Sequence, residues 1–106
     1  MLLKATKYLI KFKVDELTQK LSAKGHAEAG PFGQDIVCAG VSVLFQSHVN
    51  LLEFLKETAN IEYKLTEAEF SFKILKSTNT TEAVFKNLVY TLKDMSRQYP
   101  ENIKEE

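Results

Sequence analysis

All four glycines, one of the two prolines and one of the two histidines fall between Gly25 and Gly40. The chain on either side of that window is therefore free to form regular elements, and its apolar residues show which. A period of two leaves one buried and one wet face of a strand, whereas a period near 3.6 marks a helix. Tyr8, Ile10, Phe12 and Val14 alternate with Lys7, Lys11 and Lys13, with Leu9 breaking the pattern; Leu17, Leu21 and Ala23 alternate with Thr18, Lys20 and Ser22. This predicts a hairpin over residues 6–24, with a glycine-free turn near Asp15-Glu16. Ile61, Tyr63 and Leu65 alternate with Glu62 and Lys64, and Phe70, Phe72 and Ile74 with Ser71 and Lys73. These form a second pair of strands joined through Thr66-Glu67-Ala68.

The glycines and Pro31 predict a loop over residues 25–34. Asp35 then reads as the N-cap of a helix running to about Lys56. Its apolar residues, among them Ile36, Val37, Val41, Val43, Phe45, Leu51, Leu52 and Phe54, cover more than one stripe. A helix of that kind is either sandwiched within a domain or shared with a second subunit. In the last helix, Asn79 and Glu82 resemble a capping box. Val84, Phe85, Leu88, Leu92, Met95 and Tyr99 form its stripe, and Pro100 stops it. The order strand-strand-helix-strand-strand-helix predicts an α+β fold, an antiparallel-rich sheet covered by two helices. At 106 residues the whole chain, 1–106, reads as a single domain.

Fourteen basic and fourteen acidic residues cancel, so the total charge gives no case for direct nucleic acid binding or for an anionic membrane. Lys4, Lys7, Lys11 and Lys13 read as the wet side of a strand. The leading lysines interrupt any signal-peptide core. The apolar run Ile36 to Phe45 is too short to cross a bilayer. A single cysteine forms no intrachain disulfide, and no Cys/His spacing suits a metal. The expectation is a cytoplasmic protein with no metal and no cofactor.

The glycine window also collects chemistry. With Asp35 as the cap, Cys38 falls in the first helical turn, where backbone amides lack intrahelical partners and the helix dipole favours a thiolate. Those amides also suit a developing oxyanion. His26 follows Gly25 at the end of a predicted strand, and the loop Ala27 to Gln34 is long enough to bring imidazole and sulfur together. A histidine beside a thiolate serves as general base and then acid in acyl transfer. Asp35 either caps the helix or orients His26, and Ser42, one turn past Cys38, either touches the site or packs. His48 lies about 15 Å further along the helix and faces elsewhere. The bland alternative is an inert buried cysteine and a turn histidine. A thiol redox sensor would need a resolving cysteine from a second subunit.

Gly25-His26-Ala27, followed by Gly33-Gln34-Asp35-Ile36-Val37-Cys38-Ala39-Gly40-Val41-Ser42, closely resembles the two motifs of the ribosomal-processing cysteine protease family, Prp. The weaker resemblance over the rest of the chain includes the closing Tyr99-Pro100-Glu101-Asn102-Ile103. The resemblance implies a cysteine endopeptidase that removes a short N-terminal extension from large-subunit ribosomal protein twenty-seven during ribosome maturation in bacteria. It places the catalytic pair on His26 and Cys38, with Asp35 and Ser42 as possible supporting residues. It places the mobile loop on the stretch that includes Gly25, Gly30, Pro31, Phe32 and Gly33. It further implies a homodimer, a ribosomal protein precursor as substrate and no cofactor. The alternative function is a non-catalytic, ribosome-associated binding module.

Overall fold

The computed structural model describes residues 9–25, 34–66 and 68–106, and of Gln34 and Asp35 the backbone alone. Strand β1 is Ile10–Asp15 and β2 is Lys20–Lys24; helix α1 is Gln34–Phe54. A 3-10 turn, Thr58–Asn60, leads into β3, Ile61–Leu65; β4 is Glu69–Ile74, α2 is Asn79–Gln98 and β5 is Ile103–Glu105. The strands form one sheet in the order β3-β4-β2-β1-β5. All pairs are antiparallel except β1 with β5. The predicted α+β order holds, with β5 added at the sheet edge.

The strand alternation decides which face of the sheet is covered. Ile10, Phe12, Leu21, Ala23, Ile61, Phe70, Phe72, Ile74 and Ile103 are all buried. The register brings them onto the same face. Both helices pack there. Phe45 of α1 stacks on Phe70 at 5.3 Å between centroids, and Phe85 of α2 stacks on Phe72 at 6.2 Å. Such pairs add about 0.5–1.5 kcal/mol each to the burial of their area.

The hairpin turn differs from the simple alternation. Leu17 is 99% exposed at the tip of a four-residue turn rather than facing the core. Asp15 builds that turn without glycine, its Oδ1 accepting from the Leu17 and Thr18 amides at 3.1 and 3.2 Å, while Gln19 takes φ 52°. Hydrogen bonds from Thr18, with further help from the Leu17 amide and the Lys13 charge, hold the Asp15 carboxyl below the usual aspartate value. Helix α1 begins at Gln34, one residue before the predicted cap Asp35, and ends at Phe54 rather than Lys56. Lys56 takes the left-handed conformation, φ 59°, and the Glu57 amide reaches back to the Leu52 carbonyl at 2.8 Å, closing the helix as a Schellman-type cap. The cap of α2 is Thr78 with Thr81 in a reciprocal box, not Asn79 with Glu82. Thr78 also donates its hydroxyl to Glu57 at 2.7 Å, tying the entrance of α2 to the chain just after α1.

The two helices run antiparallel. A side chain at Gly40 would meet the tip of Met95, near the end of α2, whereas His48, further along α1, meets Asn87, nearer the start of α2. His48 is buried, and its Nδ1 donates to the Leu44 carbonyl at 2.8 Å, since a carbonyl only accepts. Its Nε2 then accepts from Asn87 Nδ2 at 3.0 Å. This histidine is a satisfied strut between helices, as its distance from Cys38 led one to expect. Ile36–Phe54 is long and apolar enough to cross a membrane by length and composition. In this fold its inner stripe, Val37, Val41, Phe45, Val49 and Leu52, is committed to the core.

Candidate active site

The site is built from the end of β2 and the start of α1. β2 is the middle strand of the five, and its pairing with β4 continues one residue past Lys24, the Gly25 amide donating to the Ala68 carbonyl at 3.1 Å. Gly25 is required there by a close approach. A Cβ on it would stand 2.8 Å from Ile10 Cα and 2.9 Å from Ile10 Cγ1, and the Cα is backbone that cannot swing aside. His26 is the next residue along the chain. It lies outside the described residues, as do Gly30, Pro31, Phe32, Gly33 and the side chain of Asp35.

Two contacts fix which way α1 points over the sheet. Phe45 stacks on Phe70, which pairs with Ala23 and Leu65. The C-terminal end of α1 runs into the 3-10 turn and then Ile61, which pairs with Ile74 at the opposite end of β4. Cys38 precedes Phe45 by two turns, about 10 Å along the axis. It therefore stands toward the sheet end at which β2 finishes with Lys24 and Gly25. The fold brings Gly25 and Cys38 to the same end of the molecule.

Cys38 is the fifth residue of α1, not the third as an Asp35 cap would have made it. Its own amide falls inside the i→i−4 ladder, and the orphan amides are those of residues 34–36. The Cα–Cβ bond of a helical residue tilts toward the N-terminus, so the Cys38 side chain is directed back toward the first turn. Cys38 is 8% exposed, at the edge of the buried stripe beside Val37 and Val41. Ser42, one turn on, lies just past that edge and is exposed. Among the described residues beyond its own helix turn, the nearest atom to a would-be Cβ on Gly40 is Met95 Cε at 3.5 Å, an ordinary contact. Among the described residues no group of three or more His, Cys, Asp or Glu side chains is placed to hold a metal. The requirement for glycine at position 25 and the His48–Asn87 link are invisible to local patterning, because both depend on partners far away in sequence.

The fold sets Cys38 near the start of the first helix covering a mixed five-stranded sheet, and comparison with known proteins gives the class, a cysteine protease. Residues 5–104 match the family described as Cysteine protease Prp. The chain is 35% identical over 83 residues to the Ribosomal processing cysteine protease Prp of Staphylococcus aureus strain Mu50, covering 76% of this chain and 77% of that protein. The crystal structure of an essential ribosomal processing protease Prp from S. aureus, in complex with a substrate peptide, superposes with a TM-score of 0.65 at 25% identity, over 92% of this chain and 96% of that one. SMU.848 from Streptococcus mutans shares the fold, with a TM-score of 0.71 at 22% identity over 96% of each chain. This chain belongs to the cysteine protease Prp family.

The two glycines predict opposite outcomes. Gly25→Ala should lower unfolding stability by about 1–3 kcal/mol through overpacking against β1. Gly40→Ala should raise it by up to about 1 kcal/mol, since alanine suits a helix and meets only an ordinary contact. Urea titration of both variants checks this, and equal effects would refute the close-approach argument.

Proposed function

We propose that this protein is a bacterial, cytoplasmic endopeptidase that removes the short N-terminal extension of large-subunit ribosomal protein twenty-seven through a Cys38–His26 dyad. The observation that carries the reading is the shared position of Cys38 and Gly25 at one end of the sheet, with His26 next in the chain, in a member of this protease family.

In the proposed reaction His26 takes the proton of the Cys38 thiol, or already holds it as an ion pair. The sulfur attacks the scissile carbonyl carbon, and the carbonyl electrons move onto oxygen. The orphan amides of the first turn of α1 receive that oxyanion. The C–N bond breaks, His26 delivers its proton to the leaving amine, and a thioester remains. Water then attacks the thioester with His26 as base, releasing the carboxylate and restoring the thiol. On this reading Asp35 and Ser42 are supporting residues. Incubation with the extended ribosomal protein, followed by mass measurement, should show a single N-terminal truncation. Cys38→Ser and His26→Ala should each slow it at least a hundredfold while leaving the thermal unfolding profile unchanged. Cleavage by Cys38→Ser at the normal rate would overturn the assignment.

The active form on this reading is a homodimer formed through the outer face of α1. Ile36 is 73% exposed, Val43 67% and Phe54 85%, on the side opposite the stripe that packs on the sheet. Val43, Gln46, Ser47, Asn50, Leu51 and Phe54 line a shallow groove of about 400 Å³ there. A twofold axis would set this face, with its apolar centre and amide side chains beside it, against the same face of a second copy, which is the occupant we propose. The Gln46 amide donates to Asn50 at 2.8 Å, holding one edge of the groove in place. Sedimentation equilibrium should give a dimer for the wild type and a folded monomer for the double variant Val43→Glu, Phe54→Glu. A wild-type monomer at tens of micromolar would contradict this interface.

A further inference from the structure

The zero net charge of the chain conceals a segregated one. The face of the sheet that neither helix nor any other described element covers carries three parallel rows of side chains, fixed by register. Lys104, Lys11 and Lys24 form the first row, ending at Glu69. Lys13, Ser22, Ser71 and Lys64 form the second. Asp15, Lys20, Lys73 and Glu62 form the third. The three rows thus hold seven lysines and three carboxylates; Glu106, whose amide donates to the Phe12 carbonyl at 2.7 Å and which continues β5 beside Lys13, adds a fourth, so the face carries a net +3 and, since the formal total is zero, the rest of the chain −3. All seven lysines are exposed except the half-buried Lys73.

Internal pairing neutralises little of this. Glu69 receives both Lys64, at 2.8 Å, and Lys24, at 3.3 Å. Among the described residues Lys11, Lys13, Lys20, Lys73 and Lys104 make no ion pair. Lys11 stands directly between Lys24 and Lys104, and Lys20 directly opposite Lys73. Like charges facing each other across strands lower stability. Solubility alone is met better by interspersed signs, so the arrangement works against the fold unless an anion covers it.

The occupant follows from what the face lacks. Among the described residues its three rows contain no aromatic and no large aliphatic side chain, so the rows offer no anchor for a peptide side chain and nothing to enter a lipid surface. Nor is there a platform for stacking unpaired bases. Lysines are point charges on flexible stems, about 4.8 Å apart across strands and about 6.8 Å apart along them. Such an array suits a repeating phosphate backbone read without regard to sequence. We propose that the open face of the sheet is a docking surface for the phosphate backbone of double-stranded RNA, on the side of the molecule away from both helices. The choice of RNA over other duplexes rests on the reading of the substrate as a ribosomal protein.

The test is binding of a fluorescent RNA duplex of arbitrary sequence, followed by anisotropy across salt concentrations. It involves no cleavage, so its failure is distinguishable from failure of the proteolytic reading. The full chain should bind with Kd of about 10⁻⁴ to 10⁻⁶ M at moderate salt, weakening as salt rises. Replacing Lys11, Lys13, Lys20 and Lys104 by Gln should weaken binding at least tenfold. It should also flatten the log–log salt slope by up to about 3.6, each of the four lost phosphate contacts contributing about 0.9. That variant should melt no lower than the wild type. A matched variant with Lys56, Lys76, Lys86 and Lys93 replaced by Gln, away from the open face, should bind like the wild type. The proposal is overturned by no binding at low salt, by equal weakening in both variants, or by equal affinity for polyglutamate of the same charge.

Discussion

The seating of α1 on β4 is the contact on which the site depends. Phe45 on Phe70, with Val41, Val49 and Leu52 buried along the same stripe, fixes both the rotation and the direction of the helix over the sheet. Rotation places Cys38 at the edge of the core rather than on the outer face. Direction sends the start of the helix to the end of the sheet where β2 finishes. The antiparallel partner α2, held by the His48–Asn87 bond and capped by Thr78, braces the same helix from the side. Reversing α1 would place Cys38 at the opposite end of the sheet from Gly25, and no loop chemistry would compensate.

The second constraint is the close approach at Gly25. β1 and β2 come together so tightly there that a methyl group would strike the backbone of Ile10. This fixes the end of β2 beside β1 at Gly25, the residue before His26 in the chain. The two constraints are independent, one a helix-on-sheet contact and the other a strand-on-strand contact, yet they meet at one end of the fold. The place we propose for the reacting groups is therefore set by packing some distance from them.

The parts of the architecture legible in sequence are those set by local period. β3, β4 and both helices follow from their alternation or stripe, and the excess apolar surface of α1 is visible as Ile36, Val43 and Phe54 outside the buried set. Leu17 misleads because its alternation with Thr18 is real, but Asp15 accepting two amides turns the chain before it can pair. The cap of α2 shifts by a residue, from Asn79 to Thr78, because adjacent polar side chains compete, and Thr78 wins through Glu57, which lies far away in sequence. β5 is three residues long and rich in charge, and only its backbone pairing with β1 reveals it. Of the candidate site, Gly25 and Cys38 are brought to one end of the fold, whereas the supporting parts on residues 26–33 lie outside the described residues. The lysine rows are also in the sequence, as the wet half of each strand, but their convergence exists only once the register is known.

The central claim is that the Cys38 sulfur and the His26 imidazole act as one unit at the end of the sheet. It is tested most directly by the rate of alkylation of Cys38 with iodoacetamide between pH 5 and pH 9, in the intact protein and in His26→Ala. The account predicts a fast plateau in the acidic half of that range, from a sulfur kept anionic by its partner, which disappears in His26→Ala. The same profile for both proteins, each rising only as an ordinary thiol ionises, would contradict it.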